Sequence, residues 1–392
     1  MPPSRGSVMR IGKGGGPAPS GLRCDAGTAG RIAGRGQGER VAMAGRDAGQ
    51  GCGRRHMMLG AGAFWTAAAA GAPAWGDAPA PVLRPDPERP DREMMVPVPG
   101  GRVYVRVNGR LADGVSPGAP LPVVFVHGGP GGNHAAFLNA LPLADDRPVI
   151  LYDQLDSGLS DHPGDPRNWT VPRFVAELEA IRTALGIPRW HVCGHSWGGT
   201  VALEYAGRRP PALAGLVLGA PLVSTRIWLR DAAALRDALP ADPRATLAAC
   251  EGRMPPAAAT CDRATDVFYA HYLRRRPPSA LAERYRQAHG GLKSDLRLYE
   301  TMWGRSEFSA TGTLRTYDGT PLLARLDGRR VLFMVGQYDE VRVTTAERFV
   351  AAVPGAGLTV IADAGHATFS DAPAASLGAL RDWLAGQDTM PA

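Results

Sequence analysis

The sequence predicts an α/β protein: a mostly parallel central sheet with helices on both faces and an inserted helical cap. Three observations carry that expectation. Short apolar runs at 122–127, 149–152, 191–195, 213–218, 331–335 and 358–361 alternate with amphipathic segments, and continuously apolar strands belong to a sheet covered on both sides. Residues 224–312 break the alternation, with helical stretches and several Trp, Tyr and Arg but no strand run. The composition is globular, 44% hydrophobic and 21% charged over 392 residues, which argues against a disordered, fibrous or polytopic membrane protein.

From the N-terminus, residues 1–74 read as a disordered leader ending in an export signal. Up to residue 53 they are rich in Gly, Arg and Ala without an apolar period, a composition that cannot bury enough surface to fold. Arg54-Arg55, the apolar run to about Ala70 and the small-x-small site Ala72-Pro73-Ala74 follow in the order of a twin-arginine signal. The apolar run is short for a spanning helix. Export to the periplasm, with no membrane span in the mature chain, is therefore expected; a cytoplasmic location is the alternative. The leader also holds the charge imbalance. The chain carries a net charge of +7, yet ten of its 44 Lys and Arg and three of its 37 Asp and Glu lie in 1–74, leaving 34 of each in the body. A body without bulk charge has nothing with which to gather polyanions, so no nucleic-acid partner is expected.

A Pro-rich linker, 75–90, precedes the folded part. Alternation at 94–98 and 102–107 around Gly100-Gly101 predicts an opening hairpin. Helices are expected at 171–185, where Phe174, Leu178, Ile181 and Leu185 form one stripe, at 200–208 after Gly198-Gly199, at 344–353 and at 372–384. The core is assigned to 91–223 and 313–388, the cap to 224–312. Of five cysteines, Cys24 and Cys52 fall in the leader and Cys193 in a buried strand. Cys250 and Cys261 either pair across a short loop or remain two thiols. No Cys/His spacing resembles a zinc site, and no metal is expected.

The chemistry is concentrated at strand ends. Gly194-His195-Ser196-Trp197-Gly198 is a GxSxG pentapeptide between a predicted strand and a predicted helix. Small glycines there permit a sharp turn that lifts the serine hydroxyl out of the sheet, toward a helix N-terminus that favours negative charge. A serine hydroxyl is a weak nucleophile and needs a base held by a third group. Asp339 directly follows the strand run 331–335, and His366 follows the last run, so Ser196, Asp339 and His366 have the order and placement of a triad. A developing oxyanion also needs donors. The loop His127-Gly128-Gly129-Pro130-Gly131 leaves another strand on the same edge, and the backbone N–H groups of Gly129 and Trp197 are the candidates. The loop lacks the glycine spacing of a phosphate cradle.

Together, His127–Gly131, Asp153-Gln154 with Gly158 and Ser160, Gly194–Gly199, Gly336-Gln337-Tyr338-Asp339-Glu340 and His366 resemble the proline iminopeptidase (prolyl aminopeptidase) family of α/β-hydrolases, over roughly residues 90–388. The resemblance implies the α/β-hydrolase fold and an enzyme that removes an N-terminal residue, often proline, from short peptides; relatives also hydrolyse amino-acid amides. It implies two glutamates that anchor the substrate amine, matching Glu307 and Glu340. Desolvated carboxylates beside the scissile bond would tell a cationic N-terminus from a blocked one. Trp197, Tyr299 and Trp303 are candidates for an apolar pocket around a pyrrolidine ring. One departure stands out: Asp156 replaces the family's usual first glycine in the 153–158 segment, an extra carboxylate expected to alter loop geometry or local charge.

The resulting expectation is an exported serine hydrolase acting through Ser196, His366 and Asp339 on a short peptide or amino-acid amide, without cofactor or metal. Two rivals remain: an esterase or amidase indifferent to a free amine, and a non-catalytic binding module on a hydrolase scaffold.

Overall fold

A computed structural model of the chain describes residues 89–111, 119–292 and 294–390. The proposed leader, its export signal and nearly all of the linker lie outside the described residues. The eight strands are β1 (Arg92–Val98), β2 (Gly101–Asn108), β3 (Val123–Val126), β4 (Val149–Tyr152), β5 (Trp190–His195), β6 (Leu213–Gly219), β7 (Val331–Gly336) and β8 (Gly357–Ile361). They form one sheet in the order β1-β2-β4-β3-β5-β6-β7-β8. The expected hairpin is β1–β2, antiparallel, turning at Gly100 with φ +93°, a conformation glycine adopts without steric cost. β2 also pairs antiparallel with β4. From β4 to β8 every pairing is parallel.

Why the apolar runs lack alternation is visible in the packing. In β3, β4, β6 and β7, consecutive residues point to opposite faces, and both faces are covered. Val124, Val126, Ile150, Leu216, Leu218, Phe333 and Val335 pack against α1 (Val171–Ala184), α2 (Trp197–Gly207) and α9 (Val343–Ala351). Their neighbours Val123, Phe125, Val149, Leu151, Val217, Leu332 and Met334 pack on the other face, against α11 (Pro373–Asp388) and a 3₁₀ segment, His134–Asp145. Each such buried aliphatic or aromatic side chain contributes about 1.5–3 kcal/mol relative to exposure. The stripe expected on α1 is buried as Phe174, Leu178 and Ile181.

Between β6 and β7 the chain runs through α3 (Thr225–Asp237), α4 (Ala241–Cys250), α5 (Ala258–Phe268), a π-helical turn Tyr269–Leu273, α6 (Ala280–Ala288), α7 (Leu296–Met302) and α8 (Thr320–Leu323). The only β pairing there among the described residues is two isolated bridges, Ser224 with Asp318 and Ser306 with Ser309. Two details differ from expectation. Helix α2 begins at Trp197, directly after the serine turn, because the chain enters the helix from Ser196 without an intervening residue. The 3₁₀ segment carries Pro142 and little periodic apolar pattern, and its place was not visible in the sequence.

Candidate active site

Ser196 joins β5 to α2 with φ 57° and ψ −122°, a left-handed conformation that costs a non-glycine residue energy and is kept where surrounding structure over-determines it. The flanking glycines are required by close approach. A Cβ on Gly194 would lie 2.2 Å from the Gly198 carbonyl oxygen, and one on Gly198 would lie 2.0 Å from that of Val126. Backbone bonds pin the turn: Ser196 N–H donates to the Gly219 carbonyl (2.9 Å), and the Ser196 carbonyl accepts from Gly199 (2.9 Å) and Leu222 (3.1 Å). Trp197 is the first residue of α2, so its N–H has no acceptor within the helix.

The Gly-rich loop faces this turn. A Cβ on Gly128 would sit 3.0 Å from Ser196 Cβ and 3.5 Å from its Oγ. Gly129 has φ +115° and precedes a cis bond to Pro130. The loop is held from behind: the Trp197 indole donates to Gln154 Oε1 (2.8 Å), Gln154 Nε2 donates to the His127 carbonyl (2.8 Å), and Gln154 N–H donates to His127 Nε2 (3.0 Å). Burial lowers the His127 pKa, which keeps its ring neutral, with Nδ1–H donating to the Gly128 carbonyl (2.9 Å). The Trp197 ring therefore lies in the core, edge-on to Phe174 at 5.6 Å. That corrects its assignment to an apolar substrate pocket; only its backbone N–H is oriented by the serine turn.

Asp339 and His366 meet. Nδ1–H of His366 donates to Asp339 Oδ1 at 2.8 Å, and the same carboxylate accepts from the backbone N–H groups of Gly336 (2.8 Å) and Val341 (3.0 Å). Ser196 and His366 are linked through His195: its Nε2–H donates to the His366 carbonyl at 2.8 Å, and the two imidazoles lie 4.5 Å apart. Burial, with His366 beside it, lowers the His195 pKa to about 4, so that ring stays neutral. For His366, burial opposes the imidazolium, but the nearby Asp339, Glu340 and Glu307 carboxylates outweigh it and raise the pKa to about 9.

Above the imidazole the cap brings the predicted acids together. Glu340, 3% exposed, follows Asp339 and has no hydrogen-bond partner for either carboxylate oxygen among the described residues. Its Oε2 lies 3.9 Å from His366 Nε2. Glu307 is half-buried and accepts from the Tyr299 hydroxyl at 2.5 Å. Burial raises the pKa of both acids, and the Glu307 charge raises that of Glu340 further. Two carboxylates in so little water cannot comfortably ionise together, and a cation entering between them would relieve both. Trp303 is buried, with its indole donating to the Ser306 carbonyl (3.0 Å).

Two neighbours escaped the sequence reading. Trp228, on α3, sets its ring edge-on to His366 (5.5 Å) and to Trp303 (6.1 Å), and a hydrogen bond from its side chain lowers the Glu307 pKa. Tyr269, at the start of the π-helical turn, has its pKa raised first by burial and then by the nearby charges of Glu307 and Glu340. The aromatic density of residues 224–312 was the only sequence signal for either.

Asp156 is accounted for by its own partners. It occupies φ 62°, in the left-handed region that glycine would fill, and is fully buried. One oxygen accepts from Gly164 N–H (2.7 Å) and the other from the Trp169 indole (2.8 Å). Its carboxylate thus braces its own loop. Cys250 and Cys261 are joined by a disulfide, Cα–Cα 5.9 Å. Among the described residues there is no group of three or more His, Cys, Asp or Glu able to hold a metal, and no helix long and apolar enough to cross a membrane.

A sheet of this order with a serine turn, an acid and a histidine at its rim defines an α/β-hydrolase, and residues 122–373 match the family described as alpha/beta hydrolase fold. The proline iminopeptidase of Heyndrickxia coagulans is 33% identical over 297 residues, 74% of this chain and 98% of that protein. That of Levilactobacillus brevis is 33% identical over 304 residues, 76% of this chain and 97% of that one. The crystal structure of a Mycobacterium smegmatis proline iminopeptidase matches with a TM-score of 0.65 at 32% identity, covering 76% of this chain and 99% of the other. The chain belongs to the proline iminopeptidase family of α/β-hydrolases and is a hydrolytic enzyme of the prolyl aminopeptidase type.

Proposed function

We propose that this enzyme releases N-terminal residues, proline favoured, from short peptides and hydrolyses amino-acid amides and arylamides through an acyl-enzyme on Ser196. His366 Nε2 takes the Ser196 proton as the hydroxyl attacks the acyl carbon, while Asp339 holds the imidazole through Nδ1–H. The N–H groups of Trp197 and Gly129 receive the oxyanion. On collapse the C–N bond breaks, and His366 returns the proton to the leaving amine. Water then repeats the sequence and frees Ser196. Glu340 and Glu307 anchor the substrate ammonium, with Tyr299, Trp303 and Trp228 around its side chain.

The single observation that carries this reading is Glu340: a buried carboxylate without a hydrogen-bond partner among the described residues, beside a second acid and 3.9 Å from the imidazole. A buried carboxylate without hydrogen bonds is costly and is kept where a ligand completes it. The same geometry gives the ammonium a second role. Before substrate binds, the charges of these acids favour the imidazolium; a bound cation cancels their field and releases His366 as a base. Export is supported by the arginine pair and apolar run of the leader and by the Cys250–Cys261 disulfide, which suits an oxidising compartment.

The test compares a proline arylamide with its N-acetyl form on the wild type, Glu307→Gln and Glu340→Gln. Each substitution should cost about a hundredfold or more in kcat/KM on the free-amine substrate, the scale of stranding a buried charge, and nothing on the acetylated one, where loss of the negative charge frees His366 instead. Equal turnover of both substrates by the wild type would remove the role of the acids and favour a general esterase or amidase.

A further inference from the structure

A second acid outside the triad joins the cap to the loop that carries His366. Asp371, at the end of α10 (Thr368–Asp371), is fully buried. Its Oδ2 accepts from Gly365 N–H at 2.8 Å, on the residue before His366. Its Oδ1 accepts from the N–H groups of Arg275 and Arg276, each at 3.0 Å, in the segment that leaves the π-helical turn. Two more bonds run alongside: His366 N–H to the Tyr272 carbonyl at 2.7 Å, and Ala367 N–H to the Leu273 carbonyl at 2.8 Å. The fit is close, since a Cβ on Gly365 would stand 2.7 Å from the Tyr272 carbonyl oxygen. The strap 269–276 therefore shares backbone bonds with His366 and Ala367 at one end, while at the other Tyr269 lies near Glu307 and Glu340.

We propose that Asp371 is a positioning residue: it fastens the cap strap to the histidine loop and so keeps the His366 imidazole in register with Asp339 below and the amine-binding acids above. The inference rests on the reading of His366 as the base. A carboxylate suits the task because it accepts from amides of two separate segments at once, with charge-assisted bonds stronger than a neutral acceptor would form. In Asp371→Asn the side-chain NH₂ would face N–H donors, and one side of the clamp would open.

The experiment measures kcat, KM and the pH profile of kcat/KM on a proline arylamide for the wild type and Asp371→Asn, normalised to sites titrated by a fluorophosphonate, and for His366→Ala, normalised to folded protein. Arg276→Pro attacks the clamp from the cap side by deleting one N–H, with Arg276→Ala as the reference for loss of the side chain alone. Asp371→Asn should lower kcat at least about tenfold with KM nearly unchanged, since small misplacements of a reacting group are costly. The acid limb should move to lower pH by about half a unit or more, as the imidazole loosens from Asp339 in a site it shares with Glu340, Glu307 and the neutral His195. Arg276→Pro should shift both readouts in the same direction by less. A merely structural role would lower the titrated fraction and leave the acid limb in place, which would overturn the proposal. Should Asp371→Asn fail to fold, Arg276→Pro decides, and an unmoved limb there overturns it equally. If His366→Ala keeps wild-type turnover, the base reading itself falls; if it is inactive while both clamp variants behave as wild type, only the clamp falls.

Discussion

The rim of the sheet and the pocket under the cap treat their acids in opposite ways. Asp339, at the end of β7, spends its carboxylate on two backbone N–H groups and the His366 imidazole. Glu340, the next residue but turned toward the cap, has neither oxygen bonded among the described residues. A fully bonded carboxylate fixes geometry, and an unbonded buried one is poised for a ligand. The same division holds for the aromatics. Trp197, at the rim, commits its indole to Gln154, whereas Trp228 sets its ring against His366 and Tyr299 donates to Glu307. The rim is built to hold atoms still and the cap to receive them.

The most severe way to break that division is at the rim. Ser196→Ala should lower arylamide turnover by about a thousandfold or more, the scale seen when a triad member is removed, and should abolish fluorophosphonate labelling. Substantial residual turnover would move the chemistry away from the serine turn. A smaller effect sharpens the boundary between the two acids. Against burial, Asp339 does most to raise the His366 pKa to about 9, and Glu340 and then Glu307 add to it. The base must be neutral to act, so activity is lost as pH falls through that value. Removing either negative charge lowers the pKa and moves the acid limb to lower pH. On an N-acetylated substrate, which brings no cation of its own, Glu340→Gln should shift the limb further than Glu307→Gln and raise turnover at neutral pH. A pH–rate series on the two variants checks the order, and an unmoved limb would uncouple Glu340 and Glu307 from the imidazole.

How much of this was legible in the sequence follows the same division. The rim was legible because its signals are local: an apolar run, a small-residue turn and a helix start lie within a few residues around Ser196, and Asp339 and His366 each follow a strand run directly. The cap was not, because its contacts join residues without a common period. Trp228, Tyr269 and Glu307 come from three different segments, and Asp371 binds amides 95 and 96 residues away. Glu307 and Glu340 were found only through family resemblance. The ring of Trp197 was misassigned for a third reason. Its N–H and its indole leave the same residue in different directions, and a motif constrains only the first. Asp156 was legible as a departure but not in its consequence, since its partners Gly164 and Trp169 lie beyond the motif.

The smallest expected effect tests whether the cap's firmness is its own. The sheet is buried between two extended apolar clusters, whereas α4 and α5 share a small one, chiefly Leu239, Leu247, Ala264 and Phe268, closed by the disulfide between Cys250 and Cys261. A cross-link over so short a loop is worth roughly 2–3 kcal/mol at most, chiefly by restricting the unfolded chain. Cys250→Ser with Cys261→Ser, or mild reduction, should therefore speed amide hydrogen exchange in α4 and α5 while leaving β5 to β7 protected. Because α5 runs directly into the π-helical turn at Tyr269, some loss of kcat should accompany it, about twofold and well below that of Asp371→Asn. Uniform loss of protection across the sheet would mean that rim and cap unfold as one unit; unchanged exchange in α4 and α5 would mean that the strap and its bonds to the histidine loop hold the cap without the cross-link.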